Sequence, residues 1–202
     1  QRAVDMAEAD ALIFHFNVLQ EAVQPEGDTN FAGLLKKIEQ VAKALPVPLI
    51  AKEVGWGFSE EDVRLLVDAG VAAFDVAGAG GTSWSEVEYH RAPTAFHAKV
   101  ARSFADWGIP TADALGYAKA GAPNHPLIAS GGLKDGIEIA KTVALGASLS
   151  GLAGGFLKAA HESTEALDEF VEVLKAQLRI AMLASGHRDI AALQKATLHK
   201  VG

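Results

Sequence analysis

The chain has 202 residues, 50% of them hydrophobic and 21% charged, with a formal net charge of -7 and no cysteine. These figures allow one sizeable folded domain and exclude a disordered chain, a disulfide framework and a thiolate nucleophile. No Lys/Arg run is long enough to hold nucleic acid or an anionic membrane, so a phosphate ligand must be met by backbone N–H groups, helix N-termini or a metal.

A polar helical stretch runs from Gln1 to Asp10 and does not open on Met, which reads as a chain cut from something longer. The first strand is expected over Ala11–Phe16, and it leads into His15-Phe16-Asn17-Val18-Leu19-Gln20-Glu21. Phe31, Leu34, Leu35, Ile38, Val41 and Leu45 fall on one face at helical spacing. A second strand, Pro48–Lys52, runs into Glu53-Val54-Gly55-Trp56-Gly57. Ser59 then caps a helix carrying Val63, Leu66 and Val67, with Gly70 as its C-terminal cap. A third strand, Ala72–Val76, opens into Ala77-Gly78-Ala79-Gly80-Gly81-Thr82-Ser83-Trp84. Thr94 to Lys119 accommodates one or two helices broken at Gly108–Pro110. The fourth strand, Pro126–Ser130, precedes Gly131-Gly132-Leu133-Lys134-Asp135-Gly136, a helix follows, and Gly146 closes it. A fifth strand, Ala147–Gly151, leads into Leu152-Ala153-Gly154-Gly155, then a long helix near Glu165–Ser185 and a short one over Arg188–His199. The uncharged Val143–Leu157 is too short and too rich in Gly and Ser to span a bilayer. No membrane contact is expected, and the cysteine-free composition fits a cytoplasmic protein.

Strands that alternate with helices at these spacings make parallel βα units, hence an α/β fold in one domain over residues 1–202. Periodicity alone leaves an open doubly wound sheet and a (β/α) barrel both possible. A closed barrel needs eight strands and about 250 residues. Five strands therefore correspond to the last five βα units of a barrel, or to a complete small sheet. Either architecture places ligand residues at the C-terminal ends of the strands.

Each strand end holds candidates with a bland alternative. Glu21 suits a hard cation such as Mg²⁺, which takes one or two carboxylates plus phosphate oxygens; a solvated loop fits the composition equally well. Lys52 ends a buried strand, so it either snorkels or points at an anion or electron-rich ring. Gly78–Gly81 let a ligand approach the backbone and Thr82 adds a hydroxyl, although tight βα turns use the same residues. The successive glycine turns at Gly131–Gly132 and Gly154–Gly155 match a barrel phosphate site. The histidines at 90, 97, 125, 161, 187 and 199 lack metal-ligand spacing and are expected to be solvated. Arg91 and Arg102 are expected at the surface or a subunit contact.

Taken together, HFNVLQE, AKEVG, DVAGAGGTSW, GIPTADAL, ASGGLKDG and GLAGG resemble type 2 isopentenyl diphosphate isomerase, in that family's order and from Asp10 to the last helix. HFNVLQE and GAGGTSW are close to diagnostic; the SGG motif occurs in many FMN and phosphate barrels. The resemblance implies a (β/α)8 TIM barrel and interconversion of isopentenyl and dimethylallyl diphosphate in isoprenoid biosynthesis. It implies reduced FMN, Mg²⁺ and NADPH as reductant. By resemblance Lys52 and Thr82 contact FMN, and Gly132, Leu133, Lys134, Ala153 and Gly154 hold its phosphate. Gln20 serves as the catalytic residue beside the isoprenyl group, Glu21 binds Mg²⁺, and His15, Asn17 and Trp84 line the substrate pocket. The family commonly forms homo-tetramers or octamers.

Two other readings compete. An FMN-dependent α-hydroxy-acid oxidase needs a His–Arg arrangement late in the barrel, and none lies near Ser130–Gly132. A non-catalytic half-barrel is the third. Five barrel strands alone would leave open edges and uncovered inward residues, with Phe14, Ile50 and Ile128 expected among them, and would be prone to associate.

Overall fold

The five apolar runs form β1 (Leu12–Phe16), β2 (Leu49–Glu53), β3 (Ala73–Asp75), β4 (Leu127–Ala129) and β5 (Leu149–Ser150). In the computed structural model, which describes residues 1–199, all pairings are parallel and the order is β1-β2-β3-β4-β5. Each strand thus lies beside its predecessor, and every crossover steps the same way. Right-handed crossovers of that kind place their helices on one face, whereas a doubly wound sheet reverses at a switch point. The strand order selects barrel-type winding.

The helices are α1 (Arg2–Ala7), α2 (Val18–Val23), α3 (Leu34–Ala44), α4 (Glu60–Asp68), α5 (Trp84–Arg91), α6 (Ala95–Arg102), α7 (Thr111–Gly121), α8 (Gly136–Ala144), α9 (Gly154–Glu162), α10 (Thr164–Ala184) and α11 (Ile190–Leu193). Ser59 caps α4 as expected, its Oγ accepting from the Asp62 N–H. Gly70, at φ 92°, closes α4 by donating to Val67 O, while Val71 donates to Leu66 O. Gly146 closes α8 in the same way. The chain breaks at Gly108–Pro110, between α6 and α7. The last expected helix shrinks to the single turn of α11. The short α2 and α9 were hidden in segments that read as loops, because a polar or glycine-rich run of one or two turns carries little periodicity. Among the described residues no helix is long and apolar enough to cross a membrane.

One face of the sheet carries the core. Leu49, Ala51, Phe74, Leu127 and Ala129 are buried against Ile38, Val63, Leu66, Leu115 and Ala118. Phe58 stacks edge-on between Phe16 and Phe74, at centroid distances of 5.6 and 6.3 Å. Burial of a side chain such as Phe74 stabilises by about 1.5–3 kcal/mol, and its truncation to Ala would cost about 3–5 kcal/mol. The other face is open: Ile13 is 53% exposed and Leu149 63%. Ile50 and Ile128 share that face, being in register with Ile13 and Leu149. Phe14 does not. It packs on the core with Leu12 and Phe16, so its expected inward position is corrected by one residue to Ile13. An almost wholly apolar strand gives no alternation to set its parity, and a shift of one residue exchanges the faces.

Candidate functional site

At the C-terminal end of the open face, register places His15 beside Lys52 and Lys52 beside Asp75. Lys52 Nζ donates to its neighbour's carbonyl, Glu53 O, at 2.7 Å, which draws the ammonium to the strand end. Partial burial, and secondarily the charge of Lys52, hold the His15 imidazole below its ordinary value. Asp75 is buried, and its Oδ1 accepts from Ser130 Oγ at 2.6 Å and from the Ala77 N–H at 3.3 Å.

After β1 the chain turns at once into α2. Asn17 stands at the N-cap position without a side-chain cap; its Nδ2 donates instead to Glu21 Oε1 at 2.7 Å. Glu21 Oε2 accepts from the Asp28 N–H at 2.9 Å. Both carboxylate oxygens are therefore oriented while keeping lone pairs free. Asn17, Glu21, Asp28, Asn30 and Lys37 line a small cavity of about 300 Å³. No cluster of three or more His, Cys, Asp or Glu ligands occurs among the described residues. A cation at Glu21 would need phosphate and water oxygens to complete its shell.

Gln20 points to a residue that sequence reading missed. Its Nε2 donates to Glu88 Oε1 at 3.1 Å, and Gln24 Nε2 donates to the same oxygen at 2.8 Å. Glu88 is buried on α5, with Arg91 3.8 Å away. A carboxylate only accepts, so it fixes the Gln20 amide with nitrogen inward and leaves the carbonyl oxygen as the group presented elsewhere. Nothing local in the sequence signals a contact across 68 positions.

The AKEVG motif has a physical basis in Glu53. Its Oε2 accepts four N–H groups, from Val54 (2.7 Å), Gly55 (2.9 Å), Trp56 (2.7 Å) and Gly57 (3.2 Å). Burial pushes this carboxyl above its ordinary range, the four amides pulling the other way. Trp84 lies against this loop: a Cβ on Gly55 would sit 3.4 Å from its Cδ1. Trp84 thus packs the β3 loop against the β2 loop.

The loops after β3 and β4 touch through their backbones. A Cβ on Gly131 would lie 2.1 Å from Gly78 O, and one on Gly132 2.1 Å from Gly80 O. Both glycines also have positive φ, 107° and 85°. Gly132 is therefore required by its neighbouring loop, whether or not a ligand binds there. Thr82, at the end of the first loop, is exposed.

Two helix N-termini face this region differently. At α8, Asp135 Oδ1 accepts from Ile137 and Glu138, Gln177 Oε1 accepts from Gly136, and Glu138 Oε2 accepts from the Lys134 N–H at 2.6 Å. Those amides are engaged within the protein, which leaves the Lys134 side chain as its means of reaching an anion. At α9 the cap Ala153 makes no side-chain bond, and Ala153, Gly154 and Gly155 are exposed. Pairing of β4 with β5 brings Gly151 beside Ser130, so the uncapped end and the Gly131–Gly132 turn follow adjacent strands, and exposed helix-end amides of this kind suit an anion.

A larger cavity, about 850 Å³, lies elsewhere. It is lined by Phe16, Phe58, Phe104 and Trp107 with residues of α2, α3 and α4, and by none of the expected site residues. His125 is not solvated as expected. It stacks edge-on to Phe74 at 6.1 Å, with Nδ1 buried and unpartnered. Arg102 lies at the surface, paired with Glu86 and over the Tyr89 ring at 5.2 Å.

Comparison with known proteins supplies the context. The profile of the FMN-dependent dehydrogenase family matches residues 15–200. A protein of Stutzerimonas stutzeri named isopentenyl-diphosphate delta-isomerase is 56% identical over 98% of this chain and 57% of its own length. A Nostoc protein of the same name is 53% identical over 96% and 55%; one from Rickettsia africae is 48% identical over 98% and 58%. The chain thus spans little more than half the length of these relatives. Among solved structures, mandelate oxidase aligns with TM-score 0.66 at 20% identity, over 96% of this chain and 56% of that one. GMP reductase from Trypanosoma brucei aligns at 0.63 and 23%, over 96% and 41%. Such neighbours bear on the fold alone. They extend well beyond the five βα units seen here.

Proposed function

The chain belongs to the FMN-dependent dehydrogenase family, and on that premise we propose that the protein carrying it interconverts isopentenyl and dimethylallyl diphosphate with FMN and Mg²⁺. The reading is carried by one observation: relatives with that name are 48–56% identical across nearly the whole chain.

The residues present fit the two groups. Lys52 and Thr82 are assigned to FMN, and the uncapped α9 end with Ala153 and Gly154, beside Gly132, Leu133 and Lys134, to its phosphate. An anion is favoured there by amide donors and the helix dipole. Reduced FMN would supply the acid–base group for adding and removing protons at alkene carbons. Gln20, its amide nitrogen anchored by Glu88, presents its carbonyl oxygen to the isoprenyl group. His15, Asn17 and Trp84 are assigned to the walls of the substrate site, His15 being biased toward its neutral form. Glu21 is assigned to Mg²⁺ at the diphosphate, whose binding remote from the reacting carbons provides orientation. NADPH is the proposed reductant, isoprenoid biosynthesis the proposed setting, and a cytoplasmic homo-tetramer or octamer the proposed form. An oxidase reading gains no support, since Ser130–Gly132 has no His–Arg pair beside it.

The test is an assay of the full native protein carrying this chain, with isopentenyl diphosphate, Mg²⁺ and FMN in oxidised or reduced form. Dimethylallyl diphosphate should form only with reduced FMN. Flavin-dependent oxidation of a 2-hydroxy acid without isomerisation would overturn the proposal.

A further inference from the structure

We propose that Thr111, in a motif (Gly108–Leu115) to which sequence reading gave no role, is a positioning residue that aims the Gly132 amide at the flavin phosphate. The inference rests on the FMN reading above and adds to it the device that sets the phosphate turn.

Thr111 opens α7 directly after Pro110 and holds two loops at once. Its backbone N–H donates to Ala79 O at 3.2 Å, while the Ala79 N–H donates to Ile109 O at 2.8 Å. The segment before α7 is thereby paired with the β3 loop as a short parallel bridge. Its Oγ1 donates across to Gly131 O at 2.6 Å. A peptide unit is planar and trans, so the Gly131 carbonyl and the Gly132 N–H point opposite ways. A hydroxyl that fixes the one fixes the other.

The turn needs such a device. Gly131 and Gly132 have no side chains to anchor them, and their positive φ values lie where glycine moves freely. The residue before them is fixed separately, Ser130 Oγ donating to Asp75 Oδ1 at 2.6 Å and the Gly78 N–H donating to Ser130 O at 3.0 Å. The Gly131–Gly132 peptide is then the remaining free plane, and Thr111 Oγ1 is its hydrogen-bond partner. The Gly132 N–H has no protein acceptor among the described residues. Glycine at position 81 leaves room beside it, because a Cβ there would sit 2.9 Å from the Gly132 nitrogen.

FMN and riboflavin share a ring and differ in the phosphate, so the pair isolates the effect. In the full native protein, dissociation constants for both are measured by quenching of flavin fluorescence. Wild type should prefer FMN. Thr111→Val keeps the shape without the hydroxyl and should cut that preference about tenfold, the size of one hydrogen bond. Its riboflavin affinity should change by less than about twofold, since the phosphate alone is affected. Thr111→Ser should restore the preference. If Thr111→Val does not fold, Thr111→Ala removes the same hydroxyl and is read in the same way. Equal weakening toward both flavins would overturn the inference in favour of a general structural role, and an unchanged preference would also overturn it. A wild type that binds riboflavin as tightly as FMN would instead remove the phosphate reading itself, and this inference with it.

Discussion

At the ends of β1 and β2 the polar groups are side chains held by other side chains and by loop amides. Glu88 holds Gln20, Asn17 holds Glu21, and Glu53 gathers four N–H groups. At the ends of β3 and β4 the loops meet through peptide units, packed so closely that a Cβ on Gly131 or Gly132 would collide with the facing backbone. The first region can lose one side chain and keep its shape. At the loop glycines of the second there is no side chain to lose, so a substitution at Gly131 or Gly132 adds atoms where backbone already lies. Changes in the glycine loops should act on folding and ligand binding together, and those at the β1–β2 end should separate the two.

The largest expected effect is therefore in the second region. Gly132→Val should destabilise by several kcal/mol, since backbone strain at positive φ and overpacking each cost about 1–3 kcal/mol, and it should abolish FMN binding. Denaturant unfolding and a flavin titration measure both. Normal stability with lost FMN affinity would break the comparison, because the glycine would then serve the ligand and not the neighbouring loop.

Glu53 is the harshest test of the first region. Glu53→Ala leaves four N–H groups without an acceptor and should cost about 2–4 kcal/mol, water reaching the less buried ones. The pH dependence follows from the raised carboxyl. A folded-state value above the unfolded one means that the folded protein binds the proton more tightly. Glu53's contribution is then full below its ordinary 4.5 and declines as the pH rises through the folded value. Unfolding of wild type and Glu53→Ala across that range should show their difference shrinking with rising pH. A difference that grows would mean that the four amides outweigh burial.

How far the sequence discloses each region follows the same division. All five strands, the Ser59 cap and the Gly70 and Gly146 caps were legible, because capping and apolar runs are local. The glycine loops stand out as candidate sites through motif resemblance, but the packing demand on Gly132 does not, since Gly80 O approaches it from 52 positions away. Glu88 and Thr111 were invisible for that reason too: each acts on a distant residue. Phe14 was misplaced because an apolar strand hides its parity. At the α8 N-terminus Asp135 and Glu138 act locally, but the Gly136 N–H is met by Gln177 of α10, a tertiary fact.

A milder change belongs to Glu21. Glu21→Gln removes the charge but can keep the Asp28 N–H on its remaining oxygen and donate to a flipped Asn17 amide. It should raise the Mg²⁺ concentration for half-maximal isomerase activity about tenfold, as expected for loss of one carboxylate ligand, with FMN affinity unchanged. Equal Mg²⁺ dependence in both proteins would remove the assignment.

The smallest effect concerns His15, and it tests whether side chains at the β1–β2 end act on one another electrostatically or only share a face. Its imidazole is held below 6.5 by burial first and by Lys52 second. Both causes disfavour the charged ring: burial withdraws it from water, and an ammonium in the adjacent register position repels it. A lowered folded value means that the unfolded chain binds this proton more tightly, so His15 costs nothing above 6.5 and weakens the fold as the pH falls through the folded value. An NMR titration of the His15 ring should give a midpoint below 6.5. Lys52→Met keeps the aliphatic stem and removes the charge. It should move the midpoint upward by less than half of the shift, because burial is the larger cause and remains. Raising the salt concentration should shrink the Lys52 share and leave the burial share, since screening acts on charge pairs near the surface. A midpoint that returns fully to 6.5 in Lys52→Met would make the lysine the whole cause, and one that does not move would leave the two residues as neighbours without coupling.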